Sequence, residues 1–221
     1  MLTASVRLKD PKRAERDLNR LFISIVNKGI RASVKPIQES IRIITSRLLR
    51  KSFFAHALFH GNLAGHLGIP AGQEAPRLYA VIDKFVNSIQ VSYVPLKLSG
   101  NNITNGVLTI GLGKTDFEDL IKMPDALIIT NKFDVLNWVE WTLVKGDTIV
   151  ILGYDVKFGQ GLGRSGQAIM IELGNRSWRV PPPFDGVPED NWITREIENG
   201  LDEYVSVIET IVNIEIKKAA T

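Results

Sequence analysis

Three glycines in the segment Gly161-Leu-Gly163-Arg-Ser-Gly166 match the letters of the dinucleotide-binding fingerprint G-x-G-x-x-G. That fingerprint holds a pyrophosphate only when a strand precedes it and the N-terminus of a helix follows it. Here the residues that follow, QAIMIEL, alternate between apolar and polar in the manner of a strand. The segment therefore predicts a glycine-rich hairpin between two strands, with no nucleotide site.

Two further partial motifs lack a residue that their chemistry needs. Gly113-Lys114-Thr115 resembles the end of a phosphate-binding P-loop, but the glycine required five positions earlier is replaced by Leu108. We expect a strand end there, followed by Asp116 as a helix cap. Ser165 lies in Gly-Arg-Ser-Gly-Gln, which is not the G-x-S-x-G elbow of a hydrolase.

The three histidines are the remaining candidates for metal or acid–base chemistry. His56 and His60 stand four residues apart, so both could share one helix face, and His66 follows nearby. A zinc protease places a glutamate directly after its first histidine, whereas this chain has Ala57. Because phenylalanines surround them, we expect partly buried core histidines. The sequence predicts no catalytic residue, no metal ligand and no cofactor, and therefore no enzyme.

Composition and charge narrow the class of protein. The 221 residues are 44% hydrophobic and 23% charged, which excludes a disordered chain, and they contain no cysteine, which excludes disulfides and thiolate metal sites. No run of eighteen apolar residues and no signal-peptide pattern is present, so we expect no membrane segment.

Charge is distributed unevenly along the chain. Residues 1–60 hold thirteen Lys/Arg against four Asp/Glu, while residues 185–203 hold seven acidic residues against one arginine. A basic end favours an anionic partner, either nucleic acid or an acidic neighbour.

Periodicity predicts helices at both ends of the chain. An apolar stripe at i, i+3, i+4 and i+7 begins at Leu18 and indicates an amphipathic helix. Pro36 can begin a second helix that folds back on the first, since proline is tolerated in the first helical turn. Residues 1–60 are thus expected to form a basic helical hairpin. A terminal helix is predicted over residues 192–221, with Asn191 or Asp190 as its cap.

The middle of the chain, residues 61–191, predicts a mixed region with a small, mostly antiparallel sheet. The segments SIQVSYVPLKL, GVLTIGL, TIVILGYDVKF and QAIMIEL alternate as strands, and Asn105-Gly106 marks a turn. Three consecutive prolines make residues 177–191 an extended arm. Because helices and strands are segregated along the chain, the fold class is α+β, in a single domain over residues 1–221.

Several segments of this chain resemble the tail-completion or neck proteins of tailed bacteriophages, which join head to tail. They are KPIQESIRIITSRLL, the SIQV strand, GRSGQAIMI, SWRVPPPF and NWITREIENGLDEYV, where such families run a proline-containing turn into a final helix. The resemblance covers most of the chain. It implies a structural virion protein, assembled in the host cytoplasm, that forms a six- or twelve-fold ring around the DNA channel. Implied partners are neighbouring connector, tail-tube and terminator proteins, and genomic DNA.

Two sets of residues are candidate interaction sites. Arg42, Arg47 and Arg50 are expected to face DNA or an acidic neighbour. An alternative function is a nucleic-acid-binding module that acts through the basic N-terminal helices, with Arg13, Arg16 and Arg20 beside these three arginines. The second set consists of rigid aromatic anchors of the kind that interfaces favour. They are Trp178, Phe184 and Trp192. We expect the arm to bury its apolar side chains on an adjacent subunit, with packing in its own core as the alternative.

Overall fold

The computed structural model describes residues 10–100, 102–112, 117–129, 134–146, 148–163 and 165–221. The partial P-loop at Gly113-Lys114-Thr115 and the expected cap at Asp116 lie outside the described residues, as does Arg164 of the glycine-rich segment. No helix within the described ranges is long and apolar enough to cross a membrane.

Helices and short two-stranded sheets make up the fold, which confirms the α+β class. The helices are α1 (Pro11–Lys51), α2 (Phe53–His60), α3 (Leu63–Leu67), α4 (Glu74–Ser88), α5 (Glu118–Ile121), α6 (Trp138–Leu143), α7 (Trp192–Asn199) and α8 (Leu201–Ala220). The strands are β1 (Ile89–Ser99), β2 (Asn102–Leu112), β3 (Leu127–Ile129), β4 (Val135–Asn137), β5 (Ile151–Phe158) and β6 (Ala168–Trp178).

The predicted N-terminal hairpin is wrong, because α1 is one continuous helix of 41 residues with Pro36 inside it. Proline in a helix interior loses one hydrogen bond and is costly. The buried positions of α1 nevertheless keep a spacing of four residues from Ser33 through Ile37 to Ile41, on both sides of Pro36. The buried face thus stays in phase across the proline, and a fold-back there would break it.

Each strand pairs with its neighbour in sequence, giving three two-stranded sheets in place of one small sheet. The β3–β4 and β5–β6 pairs are antiparallel. Asn105 and Gly106, predicted as a turn, lie inside β2 with positive φ angles of 66° and 85°. Positive φ within a strand is typical of a bulge, which explains why a turn dipeptide is tolerated there.

The terminal helix is divided in two at Gly200, which separates α7 from α8. Asn191 caps α7 as predicted: its side chain accepts from the backbone N–H groups of Ile193 and Thr194, and Thr194 completes a capping box. Glycine is a poor helix former, so the Asn199-Gly200 pair is the local signal for this break.

The chain divides into two compact units. The first, which we name the ribbon unit, comprises in the described ranges residues 10–40, 90–111 and 203–221. The second, named the core unit, comprises the described parts of residues 41–89 and 112–202. These units differ from the predicted segments 1–60, 61–191 and 192–221, because the ribbon unit collects three separated stretches. The interpretation as a single domain stays a prediction.

Within the ribbon unit, the long β1–β2 pair is joined by helices from both ends of the chain. Asn27 on α1 holds β1: its Oδ1 accepts from the Tyr93 hydroxyl at 2.6 Å and from the Leu96 N–H at 2.9 Å. Gly29 lies so close to α8 that a Cβ atom there would stand 2.7 Å from Cα of Ile216. A glycine is required at that helix crossing because any side chain would collide with backbone.

Candidate functional site

The three predicted arginines lie on one side of the second half of α1, in the core unit. Together with neighbouring residues they line a shallow groove of about 580 Å³, which we name the basic groove. It is formed by Arg42, Ile43, Ser46, Arg47, Arg50 and Lys51 of α1 and by Val86 and Asn87 of α4. Lys51 adds a fourth cationic side chain to the three predicted arginines.

Arg42 contributes to the groove mainly as a helix cap. Its guanidinium Nη2 donates to the main-chain carbonyls of Asn87 and Ile89, each at 2.9 Å, where α4 ends. The last carbonyls of a helix lack intrahelical partners and carry partial negative charge, so a cation there is favourable. The Nε atom of Arg42 is buried without a hydrogen-bond partner in the described part of the chain. Arg42 therefore joins α1 to α4 while its charge stays beside the groove.

Arg50 is also bound to α4. Its Nη2 donates to Oδ1 of Asp83 at 2.6 Å, and its guanidinium carbon lies 4.3 Å from the centre of the Tyr79 ring. Its Nε donates to Oγ of Ser46 at 3.2 Å. Asp83 thus neutralises Arg50, and the aromatic ring orients the guanidinium through a cation–π contact.

Arg47 and Lys51 are the exposed cations of the groove. Both point away from the buried stripe of α1, and Ile43 beside them is exposed as well. The four cationic side chains that converge here make this surface suited to an anion such as a phosphate chain or an acidic protein surface. The structure therefore brings the predicted arginines together, but it gives two of them a structural role that the sequence did not reveal.

The arm over residues 177–191 begins in the interior of the core unit. Trp178 is 4% exposed and Val180 is 1% exposed, and both belong to the main hydrophobic cluster of this unit. An anchor that docks on another subunit needs an exposed surface, and Trp178 has almost none. The prediction that Trp178 docks on an adjacent subunit is thus wrong, and the alternative of packing in its own core is what the structure contains.

The other two aromatic candidates meet in a cluster around Phe54. Trp192 is buried and stacks on Phe54 with ring centres 4.6 Å apart, so it too belongs to the core unit's own interior. Phe184 is half-buried, stacks on Phe53 at 5.3 Å and meets Phe54 edge-on at 6.1 Å. Phe53 remains 61% exposed. Of the three predicted anchors, only Phe184 retains surface that a partner could reach.

The histidines separate into two environments. His56 and His60 share one face of α2 with ring centres 5.0 Å apart, but both are exposed, which corrects the expectation of core histidines. The reason is helical phase, because Phe54, Ala55 and Leu58 take the buried face. In the described residues, no group of three or more His, Asp or Glu side chains could hold a metal ion.

His66 on α3 is half-buried and has a defined hydrogen-bond partner. Its Nδ1 accepts from the indole Nε1–H of Trp178 at 3.3 Å, and its ring meets Phe158 edge-on at 4.7 Å. Burial lowers the pKa of His66, and the nearby carboxylate of Asp155 opposes this effect. Asp155 is itself bound to Arg176, at 2.6 Å, and this hydrogen bond lowers the pKa of Asp155.

The glycine-rich segment forms the predicted hairpin. Phe158 of β5 pairs with Ala168 of β6, and Gly161, Gly163 and Gly166 between them all have positive φ angles. A strand follows the segment in place of the helix N-terminus that a pyrophosphate site requires. Ser165 is buried and holds the hairpin, since its Oγ accepts from the N–H groups of Gln167 and Ala168.

Comparison of the chain with known protein families, with curated proteins and with solved structures finds no match.

Proposed function

We propose that the protein is a structural subunit that assembles with further copies of itself. Following its resemblance, we place it in the head–tail joint of a tailed bacteriophage. The observation that supports assembly is an exposed apolar stripe on the first half of α1. Its members are Leu18, Leu21 and Phe22, which are 66%, 58% and 52% exposed.

These three residues stand at i, i+3 and i+4, so their side chains are neighbours on one helix face. Burying one such side chain contributes about 1.5–3 kcal/mol, which makes the stripe a substantial source of binding energy once a partner covers it. The rest of the ribbon unit continues the pattern, with one exposed apolar residue on β1 and two each on β2 and α8. They are Val94, Ile103, Val107, Val205 and Ile214. Apolar surface distributed in this way is typical of a unit that is covered in an assembly.

A ring follows when such a surface binds a different surface of the next copy and the rotation closes. We propose a ring of six or twelve subunits around the DNA channel, with connector, tail-tube and terminator proteins as neighbours. In this proposal the protein has no catalytic role and no cofactor. Its place is the virion, after assembly in the host cytoplasm.

The assembly test uses Leu21→Ser with Phe22→Ser, compared with Ile43→Ser. Ile43 is 70% exposed on the same helix but belongs to the core unit. Light scattering across a concentration series should give a multimer for the wild type and for Ile43→Ser, and a monomer with unchanged melting temperature for the double variant. A wild-type protein that stays monomeric at every concentration contradicts the proposal.

The phage assignment has its own test. A phage lysate made without this protein should contain separate filled heads and tails by electron microscopy, and supplying the protein should restore joined particles. Joined particles in its absence would argue against a role in the neck, whatever the result of the assembly experiment.

A second candidate function, binding to nucleic acid, is supported by the convergence of four cations on the basic groove. Because Arg42 and Arg50 join α1 to α4, the informative change is Arg47→Gln with Lys51→Gln, both at exposed positions. Duplex binding followed by fluorescence anisotropy should weaken with salt, and the variant should reduce the logarithmic salt slope by about 1 per lost phosphate contact. Arg179→Gln with Lys157→Gln removes the same charge from exposed positions outside the groove and should change the slope little. Equal salt slopes in the wild type and in both double variants would exclude the basic groove as the nucleic-acid-binding site.

A further inference from the structure

A cavity of about 300 Å³ lies in the core unit, bounded by α3, α6 and the β5–β6 hairpin. Its volume falls at the lower end of the range of small-molecule sites, about 300–1,000 Å³. Apolar side chains form most of its wall, among them Leu67, Leu136, Val156 and Met170. An apolar cavity of about 150 Å³ holds a benzene molecule, so this one has room for roughly twelve non-hydrogen atoms.

Two indole rings give the cavity flat walls. Trp141 and Trp178 both line it, and they meet edge to face with ring centres 5.5 Å apart. Aromatic rings prefer offset-stacked or edge-to-face partners, so a planar ring is the complementary occupant. Neither tryptophan has a role in the proposed assembly, because both are buried in the core unit.

His66 supplies one polar group to the wall of the cavity. Since Nδ1 accepts from Trp178, the neutral imidazole carries its proton on Nε2. Burial lowers the pKa of His66, which favours this neutral form at pH 7. No hydrogen bond within the described part of the chain uses the Nε2–H group. Two other polar side chains line the cavity: Asp134 is at an exposed position, and the Ser165 hydroxyl already donates to the carbonyl of Ala168 at 3.3 Å. The Nε2–H group of His66 is thus a hydrogen-bond donor available to an occupant.

The charges near His66 argue against an ionic ligand. Asp155 is paired with Arg176, which leaves no net charge from these two residues to compensate a buried ion. Asp134, which also lines the cavity, is at an exposed position and takes part in another interaction. Moving an uncompensated charge into an apolar site is costly. We propose that this cavity binds a small uncharged aromatic molecule carrying one hydrogen-bond acceptor, which accepts from Nε2–H of His66.

The test uses two probes of the same shape, acetophenone and α-methylstyrene, of which only acetophenone has a carbonyl oxygen. Titration calorimetry and ligand-observed NMR on the full chain should show both binding to the wild type. Acetophenone should bind about fivefold more tightly, as expected for one neutral hydrogen bond. His66→Phe should remove this preference. Equal affinity of the two probes in the wild type would overturn the role of His66.

A second pair of variants tests the cavity itself. Ile169 lines it yet is 42% exposed, so Ile169→Trp can close the opening without disturbing the core, and both probes should then lose binding. Ile43→Trp makes the same change at an exposed position away from the cavity and should leave binding unchanged, with melting temperature as the control for folding. Unchanged binding by Ile169→Trp would overturn the proposal. So would a wild type that binds neither probe at millimolar concentration.

Discussion

The core unit and the ribbon unit use apolar residues in opposite proportions. Among the described residues, the core unit buries 29 hydrophobic residues and exposes ten large ones, whereas the ribbon unit buries three and exposes eight. The three are Ile37, Val91 and Tyr204. A two-stranded sheet is at best marginally stable by itself, so the β1–β2 pair depends on the helices packed against it. The difference separates a unit stabilised by its own interior from one held by a few specific contacts.

A second difference concerns polar groups. In the core unit, arginines and an asparagine complete helix ends, as Arg42 does for α4 and Asn191 does for α7. In the ribbon unit, the side chain of Asn27 bonds directly to β1 and fixes the position of the strand. The contrast predicts that mutations in the two units will be detected by different measurements: stability for the core unit, and association or local exchange for the ribbon unit.

The largest expected effect is that of Trp138→Ala. Trp138 is fully buried in the core unit, and its Nε1 donates to the carbonyl of Asp125 at 2.9 Å. Replacing it should lower the free energy of unfolding by about 3–5 kcal/mol in urea titrations. Phe22→Ala, at an exposed position of the ribbon unit, should change the stability of the dilute monomer by less than about 0.5 kcal/mol. Similar losses of unfolding free energy in the two variants would contradict the difference proposed between the two units.

An intermediate effect is expected for Asn27→Ala. The substitution removes three hydrogen bonds, to the Tyr93 hydroxyl and to both backbone groups of Leu96, and should cost about 1–3 kcal/mol. Hydrogen exchange should show lost protection in β1 and β2 with unchanged protection in α4. Lys28→Ala, at the exposed neighbouring position, is the control. Equal loss of protection in both units would mean that they unfold together.

The smallest effect concerns pH and the core unit. Because burial lowers the pKa of His66, the unfolded chain binds a proton more readily than the folded one below the ordinary histidine pKa of about 6.5. The contribution of His66 to stability should therefore be complete above that pH and decline as the pH falls toward 5. Urea titrations of His66→Gln should give a flatter pH dependence than the wild type, whereas His56→Gln, at an exposed position, should not. If the free energy of unfolding fell more steeply with decreasing pH in His66→Gln than in the wild type, the prediction would be wrong.

Local signals predicted the elements that depend on neighbouring residues. The β5–β6 hairpin follows from alternation on both sides of a glycine cluster, and the cap of α7 follows from Asn191 before an apolar stripe. Pro36 misled because local preference favours it in the first turn of a helix, whereas the buried stripe of α1 continues through it. Burying the apolar face of α1 therefore stabilises the continuous helix by more than the backbone hydrogen bond lost at Pro36 costs.

The candidate site could be predicted in part. Spacing brought Arg42, Arg47 and Arg50 to one end of α1. The hydrogen-bond partners of Arg42 and Arg50 on α4 lie more than thirty residues away in the sequence and leave no local pattern. The same holds for Trp178, whose bond to His66 spans 112 residues. Its aromatic character was evident from the sequence, whereas the choice between an interface and the interior depends on which distant segments surround it.

The close approach of Gly29 to Ile216 has a consequence for synthesis on the ribosome. The residues of the core unit end at Asp202, so all of them have been made before the last helix of the ribbon unit exists. At roughly 5–20 residues per second, α1 and the β1–β2 pair wait for several seconds without the helix that crosses them at Gly29. The core unit can fold before α8 has been made, whereas the ribbon unit is complete only once α8 is present. The helix that carries the stripe proposed for assembly therefore gains its contact with α8 only after the residues of the core unit have been made.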